Sequence, residues 1–348
     1  MIKIIAVALA IMILAVMPSG CGVVSEPDGG GNSTAPDNGN ITAGSGGGKI
    51  NVVCTIFPQY DWVRQIIGDK TGNYDITLLL NNRIDLHSYQ PPVDDIAKIS
   101  TCDLFIYVGG ISDNWVENAL KGAINKKMAV INLMDALGGA VKAEELIEGM
   151  EDEVDEGEGD GDGDDENDEH VWLSLKNARI LCSVIAEQLS FLDEANKNAY
   201  ETNLARYDLK LTNLDGEYQS TVNAVPAGAA GAKTLLFGDR YPFRYLFDDY
   251  GLKAYAAFPG CSAETDASFE TVIFLAEKMN ELGLTSIFVT ESSDKKIAET
   301  IINNTSDKNQ RILTLDSMQS VTSNDAENGA KYISIMESNL EALKEALK

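Results

Sequence analysis

Only two of the 348 residues are histidine, so where they stand carries information. His87 lies in Asn82-Arg83-Ile84-Asp85-Leu86-His87-Ser88-Tyr89-Gln90-Pro91, directly after an apolar run at 74–80 that reads as a strand. His170 lies in Asp168-Glu169-His170-Val171-Trp172-Leu173, at the end of an acidic stretch and just before a helical pattern. A neutral imidazole is a good ligand for zinc and its transition-metal neighbours. Open α/β sheets bind ligands beyond the carboxyl ends of their strands, which is where His87 falls. Either histidine alone would ordinarily be a hydrogen-bonded surface or core residue, so the surrounding segments must decide. Catalytic signatures do not compete: there is no nucleophile elbow, phosphate-binding loop, dinucleotide fingerprint or His-Glu-x-x-His helix. A metallohydrolase would need an open coordination position and a general base. Glu291, at the end of a strand, is read as supporting the ligands rather than as that base, and the chain is expected not to be an enzyme.

The elements that must position these residues alternate. Strand-like runs occur at 51–56, 74–80, 103–108 and 128–133, and again at 234–237, 254–258, 286–290 and 311–315. Amphipathic stretches such as 62–67, 114–121, 268–282 and 295–302 separate them. This alternation predicts an α/β protein of two lobes, each with a central, mostly parallel sheet flanked by helices. Between the two series runs a helical pattern from 193 to about 222, with neither Pro nor Gly before Gly216. It reads as a single rigid connector of about 45 Å at the helical rise. Two ordinary helices with a turn at 213–216 are the alternative.

The N-terminus predicts where the protein works. Lys3, an apolar run at 4–17 and small residues before Cys21 form a signal peptide over 1–20. The run is shorter than the roughly 20 residues a membrane-spanning helix needs. Pro18-Ser19-Gly20-Cys21 resembles a lipobox, although Pro stands where an aliphatic residue is usual, so Cys21 is the expected lipidation site. Residues 21–48, rich in Gly, Ser and Asn, read as a flexible tether. The remaining boundaries are a first lobe at 49–192 with an acidic loop at 144–169, the connecting helix at 193–224, and a second lobe at 225–348. That loop holds sixteen Asp and Glu without Lys or Arg, within a net charge of −27. Such a surface repels nucleic acid and suits cations.

In order along the chain stand Phe57-Pro58-Gln59-Tyr60-Asp61, then Asp85-Leu86-His87-Ser88-Tyr89-Gln90-Pro91, and then Asp103-Leu104-Phe105-Ile106-Tyr107-Val108-Gly109-Gly110. His170-Val171-Trp172-Leu173 and a C-terminal helix with Tyr332, Met336, Asn339 and Leu343 follow. From about Lys49 to the end the chain thus resembles the zinc/manganese (ZnuA/TroA-like) branch of solute-binding proteins of ABC importers. The resemblance implies two lobes joined by one long helix, with a single Zn2+ or Mn2+ between them. The usual ligands are two His from the first lobe, a His or Glu early in the second, and an Asp or Glu late in it. His87 and His170 match the first pair. Asp316, in Leu313-Thr314-Leu315-Asp316-Ser317, matches the late carboxylate, without the Pro and Leu that often follow. The third position departs from the pattern. In Gly238-Asp239-Arg240-Tyr241-Pro242, which leads to Tyr250-Gly251-Leu252, no His or Glu is present. Gly238, Asp239 or Arg240 falls there; Arg cannot ligate a cation, so Asp239 is chosen, with Glu264 in reserve.

The resemblance implies a monomeric, lipid-anchored, extracytoplasmic subunit that delivers metal to a membrane permease and its ATPase partner. Zinc is expected ahead of manganese. An adhesin-like surface lipoprotein holding a structural metal would share every motif and is the alternative. Two weaker signals remain. Glu158, Asp160, Asp162, Gly163 and Glu169 occupy EF-hand-like positions, although position 1 is normally Asp and no entering helix is evident, so the acidic loop is a weak cation collector, a solvated loop or a calcium site. Cys54, Cys102 and Cys182 read as buried hydrophobes. Cys261 is an alternative ligand, because its loop would approach the cleft.

Overall fold

A computed structural model describes residues 48–81, 83–150, 167–226, 231–262 and 266–348. The signal peptide, Cys21, the tether, Glu264 and the EF-hand-like run from Glu158 to Gly163 lie outside the described residues.

The first sheet contains β1 (Ile50–Cys54), β2 (Tyr74–Leu78), β3 (Leu104–Tyr107) and β4 (Ala129–Asn132), all parallel, in the order β2-β1-β3-β4. Helices α1 (Phe57–Ile67), α2 (Val93–Thr101) and α3 (Val116–Lys121) make its crossovers. The central strands are continuous apolar runs because both faces are covered. Val52, Val53 and Cys54 of β1 and Leu104, Phe105 and Ile106 of β3 are all buried, whereas edge strand β4 is only partly so. At the start of α1 the Gln59 side-chain oxygen accepts from the Thr55 and Ile56 amides at 2.9 and 3.3 Å, satisfying donors that a helix start leaves free. Helices α4 (Leu133–Leu137), α5 (Leu175–Leu192) and α6 (Lys197–Asn223) follow.

The second sheet repeats the plan with β5 (Thr234–Tyr241), β6 (Lys253–Pro259), β7 (Ser286–Val289) and β8 (Arg311–Thr314), parallel and ordered β6-β5-β7-β8. Its crossovers are α7 (Arg244–Tyr250), α8 (Phe269–Leu282) and α9 (Lys296–Asn304); α10 (Ser323–Glu327) and α11 (Tyr332–Ala346) close the chain. In both sheets the strand order reverses across the central pair, β1/β3 and β5/β7, while the strands stay parallel. A crevice opens at the carboxyl ends of such a pair.

The connector is one helix. α6 runs 27 residues, about 40 Å, straight through Gly216. Tyr200, Tyr207, Leu211, Leu214, Tyr218 and Val222 form its buried stripe. A Cβ at Gly216 would meet nothing within 4 Å. The glycine costs about 1 kcal/mol of helix propensity, and the stripe outweighs it. The lobes also share a core. Trp62 of the first lobe packs edge-on against Tyr332 of α11 at 5.2 Å. The Trp172 indole donates to the Ser317 carbonyl, and the Tyr332 hydroxyl to the Trp172 carbonyl. Buried aromatics fused across both sheets leave little freedom for a wide hinge.

Candidate metal centre

His87 sits in a short turn after β2, fixed by the Asp85 carboxylate accepting from the His87 amide at 3.0 Å. Its Nδ1 lies 2.9 Å from Ser112 Oγ and 3.3 Å from Glu169 Oε2. Burial pushes the Glu169 carboxyl upward, but hydrogen bonds from His87 and Ser112 outweigh it and hold the group below its ordinary value. The approach of Glu169 requires Gly110, where a Cβ would stand 2.3 Å from Glu169 Oε1. His170 is fully buried, and Asp168 Oδ1 lies 2.8 Å from its amide and 3.0 Å from its Nδ1.

Each imidazole therefore has an oxygen at Nδ1, which places the proton there and leaves an Nε2 lone pair. The two Nε2 atoms face each other at 3.2 Å. Two lone pairs at that distance repel unless a cation or proton lies between them. With zinc–nitrogen bonds of about 2.0–2.1 Å, two ligands of a tetrahedral ion stand about 3.3 Å apart. The spacing fits a shared metal.

Cys261 completes the cluster. One ring nitrogen from each histidine and Cys261 Sγ lie within 4.8 Å of one another. The loop after β6 reaches the histidines through Gly260, where a Cβ would come within 2.8 Å of the Tyr241 carbonyl and 3.2 Å of the His170 ring. The Cys261 amide donates to Glu144 Oε1 at 3.0 Å. Burial, then the negative charges of Glu144, Asp168 and Glu169, push the thiol well above its ordinary pKa. A bound cation would reverse that balance, because thiolate is the ligating form.

The carboxylates expected as ligands are placed outside this cluster. Asp239 Oδ2 accepts from the Thr290 amide and hydroxyl at 3.0 and 2.7 Å, and Oδ1 from the Arg240 amide at 2.8 Å. Both oxygens are thus engaged, Oδ2 tying β5 to the end of β7 and Oδ1 bonding within β5. A register shift between Phe237 and Arg240 turns the strand here, with Gly238 pressed on Ala298. Arg240 instead spans the cleft, its Nη2 donating to Asp85 Oδ2 at 2.6 Å and its Nη1 to the Ser262 carbonyl. Burial raises the Asp85 carboxyl, but Arg240 and His87 hold it below its ordinary value. Asp316 accepts from the Met318 amide at 2.7 Å and is pushed up to about 7 by burial and the charge of Glu291. Glu291 accepts from Ser317 and Ser320 and so braces the turn after β8. That turn carries Gln319, whose Nε2 is 3.4 Å from His170 Nε2. Nothing in the sequence marked Gln319 except its place three residues beyond Asp316. A cavity of about 390 Å³ opens on His87, lined also by Asp85, Asp239, Arg240, Thr290 and Asp294.

Two α/β lobes around a rigid helix, with buried imidazoles converging between them, define a two-lobed binding protein. The sequence model described as "Zinc-uptake complex component A periplasmic" (ZnuA) matches residues 52–346, and the chain belongs to that family. It is 32% identical over 307 residues to the high-affinity zinc uptake system protein ZnuA of Bacillus subtilis (strain 168), covering 88% of this chain and 90% of that one. It is also 32% identical over 299 residues to the zinc-binding lipoprotein AdcA of Streptococcus pneumoniae (strain ATCC BAA-255 / R6), covering 86% of this chain but 56% of that longer protein. Among solved structures, the Zn(II)-bound ZnuA-like domain of Streptococcus pneumoniae AdcA superposes with a TM-score of 0.65 at 29% identity, covering 86% of this chain and 99% of that one. The laminin-binding adhesin Lmb of Streptococcus agalactiae, at 23% identity and a TM-score of 0.68 over 86% of this chain and all of its own, shares the fold.

Proposed function

We propose that this protein captures zinc between its lobes with His87, His170 and Cys261 and delivers it to an ABC permease. The observation that carries the reading is the pair of Nε2 atoms at 3.2 Å, each ring oriented by an oxygen at its other nitrogen. The relatives named for zinc uptake and zinc binding support the choice of metal. A thiolate with two imidazoles is a borderline-soft donor set, which suits zinc better than manganese. The chain holds and releases its cargo rather than transforming it, so its part in transport is binding. Lipidation at Cys21 would hold it on the outer face of the membrane, near the permease. The adhesin alternative has no observation of its own here, since the Lmb likeness extends to the fold alone.

Metal analysis of the purified protein, with competitive titration by Zn(II) and Mn(II), tests the reading. One tightly bound zinc per chain is expected. Zinc no tighter than manganese would overturn it.

A further inference from the structure

We infer that Gln319 supplies the fourth donor through its amide oxygen, and that this neutral ligand, with Cys261, makes the site selective for zinc over manganese. The inference rests on the metal reading above and deepens it.

Gln319 is 8% exposed, yet its amide is poorly partnered. Among the described residues its Oε1 is buried without a hydrogen-bond partner, and its Nε2 has only contacts of 3.4 Å, one to His170 Nε2 and one to Ser317 Oγ. A buried polar group left unpaired costs about 1–3 kcal/mol. Such a group at the edge of an imidazole pair points to a missing partner. A half-turn about the last side-chain bond exchanges the nitrogen and oxygen ends of the amide. Either end can therefore occupy the point 3.4 Å from His170 Nε2, a separation matching two ligands of one tetrahedral ion. Facing a metal, the oxygen would occupy it.

Charge explains why a neutral donor stands there. Asp168 and Glu169, both buried, already flank the histidines. With the Cys261 thiolate, and with Glu144 close enough to act on that thiol, they already outweigh the two positive charges of the ion. A carboxylate at 319 would add another negative charge in a buried site, where an uncompensated charge is costly. The expected late carboxylate, Asp316, is instead turned toward the Met318 amide and faces Glu291. Manganese prefers oxygen-rich sets, whereas zinc accepts two nitrogens, one sulfur and one oxygen in a closed tetrahedron.

The test compares the purified protein with Gln319→Leu and Gln319→Glu. Competitive titration with Zn(II) and Mn(II) gives affinities, and Co(II) absorption reports coordination geometry and sulfur ligation. Gln319→Leu should bind Zn(II) about tenfold or more weakly and shift the Co(II) visible bands, with the melting temperature of the metal-free protein retained. Gln319→Glu, which retains an oxygen donor and makes it anionic, should keep the wild-type Co(II) geometry and tighten Mn(II) by about tenfold. If the wild type binds zinc tightly while Gln319→Leu keeps its affinity and Co(II) spectrum, the inference falls and the zinc reading stands. Unchanged Mn(II) affinity in Gln319→Glu would refute the selectivity argument. A wild type without tight zinc would overturn both.

Discussion

The two sheets share one strand order, yet their walls of the cleft are built differently. On the first wall, His87 and His170 are each locked by an oxygen at Nδ1, and a turn or backbone hydrogen bond fixes each loop. On the second wall, the strand end that might have offered a ligand is occupied by structure. Asp239 joins β5 to β7, and Arg240 reaches across to Asp85. The candidate donors come instead from loops beyond the outer strands, Cys261 after β6 and Gln319 after β8. The first wall is preorganised, and the second is assembled from longer loops held by Glu144 and Glu291.

The strongest way to break this contrast is to remove an imidazole. His87→Ala or His170→Ala should weaken zinc binding on the order of a hundredfold or more in competitive titration, because each removes a ligand and leaves the other nitrogen without its partner. Cys261→Ser should weaken zinc by about ten- to hundredfold and abolish the thiolate charge-transfer band of the Co(II) protein. If the serine variant kept that band, Cys261 would not be a ligand. Asp168→Asn should cost about tenfold in affinity while leaving the metal-to-protein ratio at one, since it disturbs the orientation of His170 rather than a ligand.

Arg240→Met separates ligand supply from lobe closure. It removes a partly buried interlobe ion pair, with Arg240 at 17% and Asp85 at 23% side-chain exposure. Zinc dissociation, followed by stopped flow with excess chelator, should speed up a few-fold, and stability should fall by about 1 kcal/mol. Loss of zinc binding altogether would mean that Arg240 organises the site and does more than bridge it.

The smallest effects concern pH. Each wall hides one carboxyl pushed to about 7, Asp113 behind the first and Asp316 behind the second. Burial is the leading cause for Asp113, with Glu169 adding to it, and its Oδ2 accepts from the Val108 and Gly109 amides. Both values lie above the unfolded carboxyl value of about 3.9, so the native state holds these protons more tightly. Their contribution is fully present below pH 4 and is lost as pH rises through about 7. Denaturant midpoints of the metal-free protein at pH 5 and pH 8 should show this decline, and Asp113→Asn should flatten it.

Much of the fold was legible in the sequence. All eight strands fall where the apolar runs placed them; the central ones are the clearest, because parallel strands covered on both faces must be continuously hydrophobic. The long helix was visible as an uninterrupted pattern, and the structure decided the case of Gly216 in favour of one helix. The histidines stood out for a different reason: there are only two, His87 after β2 and His170 just before α5, and the structure brings their Nε2 atoms to 3.2 Å. The carboxylates were not, since an Asp in a strand-end turn looks the same whether it ligates a cation or caps the amides of the next strand. Asp239 caps, through Thr290.

The sequence by itself determined the paired α/β lobes and the connecting helix, which follow from local periodicity, and it singled out the two histidines by their rarity. Only the tertiary structure decided what faces those histidines. The shift in β5, the Gly260 approach and the braced turn after β8 bring Cys261 and Gln319 toward His170 from positions 91 and 149 residues away in the chain. Loop placement of that kind arises from packing between distant elements, so the sequence could offer Cys261 as an alternative without choosing it and gave no sign of Gln319.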